Sequence, residues 1–178
     1  NCNAYDSTQS NSGLWMGLTE GELALKGRDK LTFVVDEPIS SFGLWVEQLI
    51  AESTGKHGKG ILPVADEPLG DPGAYGDDRV IVHLANAESP DEDNAAKVDA
   101  LAKAGQAVVK LSSRGTPEDL GRIFFFAEFA TAVAGWALEI NPFDQPNVQE
   151  AKDKTNEVLA ADTPPEVTDA GDEELRAL

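Results

Sequence analysis

Two pairs of side chains carry the chemistry that this sequence can offer. In the segment running from Asn141 to Lys152, an amide, Gln145, stands seven residues before an amine, Lys152. Seven residues are about two helical turns, so both side chains share a face if a helix starts near Pro146. An amide that grips hydroxyls and a cation that answers developing negative charge would suit a phosphosugar. The second pair is Gln48 and Glu52, four apart near the end of an apolar helix, so they project from one face. Ser53-Thr54-Gly55-Lys56-His57-Gly58-Lys59-Gly60 follows at once, with cations and flexible backbone. A carboxyl in a partly dry site has its pKa raised toward the working range, so Glu52 is a candidate proton carrier. On spacing alone the plainer reading is the favoured one. Glu47 and Glu52 are then solvated helix residues, and the lysines balance the helix dipole. Asp144 then caps a helix, Pro146 is its first residue, and Lys152 is an exposed cation near Glu150.

Other polar residues carry less. His83 sits in an apolar strand and reads as a core or edge histidine, while His57 lies in the Gly/Lys loop. Two histidines so far apart, without a cysteine partner, do not make a metal site. The acidic loop from Asp66 to Asp78 lacks the spacing of a calcium loop. Ser112, Ser113, Arg114 and Gly115 follow a strand and could receive a phosphate or hydroxyl, or simply form a turn. No glycine pattern matches a dinucleotide loop or a P-loop.

The elements that must position these residues alternate. Leu14, Trp15 and Leu18 have helical spacing, and Gly27 is placed to stop that helix. Leu31 to Val35 is a buried-type strand. Pro38 is expected to open a helix through Thr54, with Gly55 as its cap. Short apolar runs follow at Gly60–Val64, Val80–Leu84 and Ala107–Leu111, the first two separated by a Gly/Pro/Asp-rich loop over 66–78. A helix from Pro90 to about Ala104 starts with Asp91, Glu92 and Asp93, which suits its N-terminus. Thr116 and Pro117 cap a helix that is apolar almost all round from Ile123 to Leu138, so it is expected to be buried. A last helix spans Pro146 to Ala160. Strands alternating with helices imply parallel β-α-β units covered on both faces. Ligands in such sheets bind at the carboxyl ends of the strands.

Composition narrows the setting. The chain has 178 residues, 41% apolar, enough for one domain with a proper core. Residues 1–12 read as a linker or an added remnant, 13–160 as the domain, and 161–178 as an acidic tail. The net charge of −18 argues against nucleic acid and anionic membranes. It also means that a phosphorylated substrate needs local cations. One cysteine, Cys2, excludes an internal disulfide and fits a reducing compartment. No signal peptide is evident, and the longest apolar run, Ile123 to Ile140, is interrupted by Glu128 and Glu139. The expected setting is cytosolic.

Two segments carry a family resemblance. Trp45-Val46-Glu47-Gln48-Leu49-Ile50-Ala51-Glu52-Ser53-Thr54-Gly55-Lys56 resembles the segment around the catalytic glutamate of glucose-6-phosphate isomerases. Asn141 to Lys152 resembles that family's closing signature, Phe-Asp-Gln-x-Gly-Val-Glu-x-x-Lys. The wording of 145–152 and of Gly27 to Phe33 is most similar to the variant fused to transaldolase in some bacteria. The resemblance covers about residues 13–160. It implies the second of two sugar-isomerase (SIS) domains, a three-layer α/β/α sandwich with a mainly parallel, flavodoxin-like sheet. It also implies interconversion of glucose 6-phosphate and fructose 6-phosphate without a cofactor or metal. By the motifs, Glu52 moves a proton between C2 and C1 through a cis-enediol. Gln48 and Gln145 hold sugar hydroxyls, and Lys152 lies near the ring or C1 oxygen. The implied partners are an N-terminal SIS domain, a transaldolase domain where the fusion likeness holds, and a second copy in a homodimer.

The departures from the family pattern are specific. Asn147 replaces the signature glycine and Gln149 its glutamate. The segment with the ring-opening histidine has no counterpart, and neither does the Gly-Gly-Arg-Tyr-Ser motif nor the Ser/Thr-rich phosphate loop of the first SIS domain. The chain therefore reads as part of a longer or split enzyme. The alternatives are a non-catalytic phosphosugar-binding module that regulates a partner, and a docking domain of a transaldolase fusion.

Overall fold

The computed structural model describes residues 2, 7, 8 and 10–161. The acidic tail expected over 161–178 lies, beyond Ala161, outside the described residues. The chain divides into two units between Asp144 and Gln145.

The first unit is built on four parallel strands: β1 (Lys30–Val35), β2 (Leu62–Val64), β3 (Arg79–Asn86) and β4 (Ala107–Ser113). Their order is β2-β1-β3-β4. Lys30 stands beside Leu62 on one side and Arg79 on the other, and Val80 beside Ala107. The runs are near-continuously apolar because both faces are covered. Leu31, Phe33, Val80, Val82 and Leu84 pack with Met16, Phe42, Val46, Ile50, Ile123 and Ala130. Val34 and Ile81 turn the other way, onto Val98 and Leu101. Helices α1 (Ser12–Leu25), α2 (Phe42–Thr54) and α4 (Pro117–Ala137) thus cover one face, and α3 (Glu92–Lys103) the other. The fold is a three-layer α/β/α sandwich with flavodoxin-like strand order.

Capping follows the sequence closely. Asp91 accepts from the amides of Asp93 and Asn94 at the start of α3, and Thr116 accepts from Asp119 N at the start of α4. Helix α2 is the exception: it begins at Phe42, not at Pro38. Residues 36–42 instead form successive turns, Ile39 N to Asp36 O and Phe42 N to Ile39 O, that swing the chain off the end of β1. Once started, α2 is held by an aromatic cluster. Trp45 and Phe124 have ring centroids 4.1 Å apart, and Phe42 meets Phe124 edge-on at 5.5 Å.

Helix α4 corrects a second expectation. It is apolar all round, yet Phe125 is 56% and Trp136 72% exposed. At 21 residues it has the length and composition to cross a membrane, although Glu128 lies within it. Its inner face lies in the core through Ile123, Ala127, Ala130 and Ala134.

What seats α1 on α4 is a glycine stripe. A Cβ on Gly17 would meet the Ala130 carbonyl oxygen and lie 2.6 Å from Val133 Cβ, and one on Gly21 would lie 2.5 Å from Ala137 Cβ. The pairs advance together along both helices, so the two run parallel with their backbones close. On the same helix, Glu20 is only 6% exposed, and its Oε2 has no hydrogen-bond partner. It lines a cavity of about 30 Å³ with Met16, Phe33, Val82 and Ala127. Burial without a partner raises its pKa from 4.5 to about 8.

Two consequences follow for stability. Gly17→Ala would gain up to about 1 kcal/mol in helix propensity. The steric conflict costs about 1–3 kcal/mol, so net destabilisation is expected in urea titration. Glu20 keeps its proton in the native state between pH 4.5 and about 8, whereas the unfolded chain loses it. Native stability from this group is therefore complete below the lower value and declines as pH rises toward the higher one. The urea midpoint is expected to fall across that range, and Glu20→Gln to flatten the fall.

Candidate active site

Helix α2 delivers Gln48 and Glu52 to its last two turns, both exposed. Their sequence neighbour Glu47 is not a solvated bystander. Its Oε2 accepts from Ala65 N at 2.6 Å, tying α2 to the chain just after β2. Because α2 returns against the sheet, its C-terminus comes to the amino edge of the strands. There Leu62 N donates to Asp29 O, and Asp29, Gly55, Gly60 and Leu62 line one surface depression. The pair thus stands at the edge opposite to the carboxyl ends, where ligands of such sheets are expected.

The turn after Glu52 is tightly determined. Thr54 is fully buried; its hydroxyl donates to Ile50 O at 2.8 Å and accepts from Ile61 N at 3.0 Å. Gly55 N closes on Ala51 O. Lys56 and Lys59 then pair as a two-residue hairpin, with both backbone amides donating across it. His57 and Gly58 have φ of 55° and 72°, the positive values that a type I′ turn requires. His57 is exposed at the tip. Gly60 has φ 148°, and a Cβ there would lie 3.0 Å from Gly55 Cα. Lys56 is buried and makes contacts with Asn141 and Asp144, so it is not a solvated partner of the helix dipole.

At the carboxyl edge polar groups around the ends of β1 and β3 satisfy one another. Asp36, 2% exposed, accepts from Asn86 N, Asp91 N, Asn94 Nδ2 and His83 Nε2 at 3.0–3.1 Å. Burial opposes its ionisation, but the amides of Asp91 and Asn86, Asn94 and His83 outweigh it and hold the carboxyl below its ordinary range. His83 is thus a satisfied core histidine. In the turn over 112–115 the Arg114 and Gly115 amides are already used, by Asp119 and Ser113, while Ser112 and the Arg114 side chain stay exposed. Asp119 accepts from Arg114 N at 2.7 Å and pairs with Arg122, which keeps its own pKa low. Ser113 is buried against it. Among the described residues no group of His, Cys, Asp and Glu is placed to hold a metal.

In the second unit, α5 runs from Pro146 to Ala160 with Gln145 at its N-cap position. Gln145 and Lys152 are both exposed, and Lys152 lines a surface with Val148, Ala151 and Thr155. The structure therefore presents the four candidate residues as two pairs, one on each unit.

No family model matches the sequence. The chain is 30% identical over 165 residues to the glucose-6-phosphate isomerase of Leptospira biflexa serovar Patoc, across 71% of this chain and 36% of that protein. It is 30% identical over 184 residues to that of Clostridium tetani, across 83% and 41%. With that of Clostridium perfringens it shares 31% over 163 residues, across 71% and 36%. The chain spans less than half the length of the curated relatives it matches. Among solved structures, a hypothetical protein from Thermus thermophilus shares the fold. Its TM-score is 0.59 at 24% identity, covering 84% of this chain and 50% of that one.

Thr54→Val keeps the side-chain volume and strips the hydroxyl, which leaves the Ile61 N–H unpaired in a buried place. A loss of about 1–3 kcal/mol is expected in denaturant unfolding. Amide exchange at Ile61 is expected to quicken more than exchange in β3.

Proposed function

We propose that this chain is the C-terminal SIS domain of a glucose-6-phosphate isomerase, within a protein longer than the stretch described. The observation that carries the reading is the pairing of the two motifs. A glutamate-bearing helix end and a Gln…Lys helix start occur in the family's order, in a chain about 30% identical to isomerases of that name. The local structure supports it. Glu52 sits on a helix whose last turn is fixed by Thr54, and Gln145 stands at the N-cap position of the helix that carries Lys152. Removing a proton beside a carbonyl needs a base on one side of the substrate and positive charge where oxygen becomes negative. Glu52 is the base that carries the proton between C2 and C1 through a cis-enediol. Lys152 answers the charge on oxygen, and Gln48 and Gln145 hold hydroxyls.

The remaining parts come from elsewhere in the longer protein. The cation that receives the phosphate is assigned to a preceding SIS domain, because the family's Ser/Thr-rich phosphate loop has no counterpart in this sequence. The wording of residues 145–152 favours the isomerase of a transaldolase fusion, working in the cytosol as a homodimer. A second reading, a phosphosugar-binding module without turnover, draws on Asn147 and Gln149 standing where the signature has glycine and glutamate.

Glu52→Gln in the full-length protein is expected to lower the isomerase rate by about 10²–10⁴, with substrate binding kept. A coupled assay beside titration calorimetry with fructose 6-phosphate reads both quantities. Survival of the rate within about tenfold would falsify the role of Glu52. Binding without turnover in the unaltered protein would favour the regulatory module.

A further inference from the structure

Lys56 stands four residues after Glu52, and its side chain is only 2% exposed. Its ammonium donates to Asn141 O at 2.9 Å and to Asp144 O, and lies 3.1 Å from Asp144 Oδ1. An ammonium has three donors, and three acceptors surround this one. Taking an ion out of water costs several kcal/mol, so a lysine that merely balanced a helix dipole would remain solvated. All three acceptors come from one stretch, Asn141–Asp144, which lies 85 and 88 residues along the chain at its two contacts.

That stretch is gripped at other points as well. Asn141 Oδ1 accepts from Phe143 N, closing an Asx turn. Pro142 lies against Gly135, where a Cβ would come within 2.8 Å of Pro142 Cγ. Lys59, across the hairpin from Lys56, donates to Leu138 O at 2.7 Å. The hairpin that follows the glutamate turn therefore holds the chain from Leu138 to Asp144, and Asp144 is bonded covalently to Gln145.

We propose that Lys56 is a positioning residue. Its buried ammonium clamps Asn141–Asp144 to the glutamate end of α2 and so fixes the point from which Gln145 and the Lys152-bearing helix depart. The clamp places no group on the substrate; it holds the stretch that leads into the second motif against the hairpin that follows the first. This inference rests on the isomerase reading, since only there do the two motifs share a task. A shift of about 1 Å in a positioned group can cost 10²-fold in rate, so loss of the clamp should be felt in turnover before binding.

The test uses the full-length protein with Lys56→Met. Turnover per folded molecule is expected to fall at least about tenfold, while the KM for fructose 6-phosphate moves less than about threefold. Amide exchange across residues 139–145 is expected to rise at least about tenfold, with β1 and β3 unchanged. Unchanged turnover with unchanged exchange would overturn the proposal. Should that variant not fold, Asp144→Ala removes one arm at a half-exposed side chain. It is expected to speed exchange over 139–145 and to lower turnover about threefold, and no change in either would overturn the clamp. An unaltered protein without isomerase activity would refute the isomerase reading instead, and the exchange comparison would still decide the clamp.

Discussion

One buried charge ties the loop after α2 to the distant stretch over 141–144. The ammonium of Lys56 has left water, and it is stable there only because two carbonyls and a carboxylate from residues 141–144 surround it. Removing the Asp144 carboxylate would leave this ion with neutral carbonyls alone. The loop after α2 and the segment before α5 are therefore held as one piece, although the chain between them builds β2, β3 and β4. Thr54 performs the complementary task on the near side, where one hydroxyl satisfies both the end of the helix and the incoming Ile61 amide.

The rest of the first unit supplies the rigidity behind that piece. Parallel strands with both faces covered leave α2 one way to run, back to the amino edge, and the Phe42, Trp45 and Phe124 rings fix it on α4. Helix α4 is fixed in turn by α1 through glycines that let the two backbones meet. Asp36 closes the opposite edge by drawing β1, β3 and the start of α3 onto one carboxylate. Such a satisfied buried network is rigid and sets one arrangement. Glu20 is the counter-example within the same core, a carboxyl whose neutrality substitutes for a partner.

Much of this was legible in the sequence, for identifiable reasons. Strands covered on both faces read as short apolar runs, and residues 31–35, 80–84 and 107–111 stand out for that reason. Thr116, Pro117 and Gly27 punctuate helices through local chemistry alone. The Gln48 and Glu52 pair follows from helical spacing, as does the reach from Gln145 to Lys152. What escaped depends on distant partners. Lys56 looks like any lysine in a glycine-rich loop until residues 141–144 come to it. The late start of α2 reflects turns that need the end of β1. The exposed Phe125 and Trp136 follow from which side of α4 met the sheet, which an all-round apolar helix does not encode. Gly13, Gly17 and Gly21 at every fourth position were a visible sign of close helix packing that the apolar pattern overshadowed.

In the proposed reaction a carboxylate on this chain takes a proton from carbon, and isotope exchange reads that step directly. The full-length protein, held with glucose 6-phosphate in heavy water through many turnovers, can be followed by proton and deuterium resonance. A proton resting on Glu52 between C2 and C1 has a chance to exchange with solvent, so deuterium is expected to build up at C1 of fructose 6-phosphate. Isomer formed with no solvent label at that carbon would contradict the account.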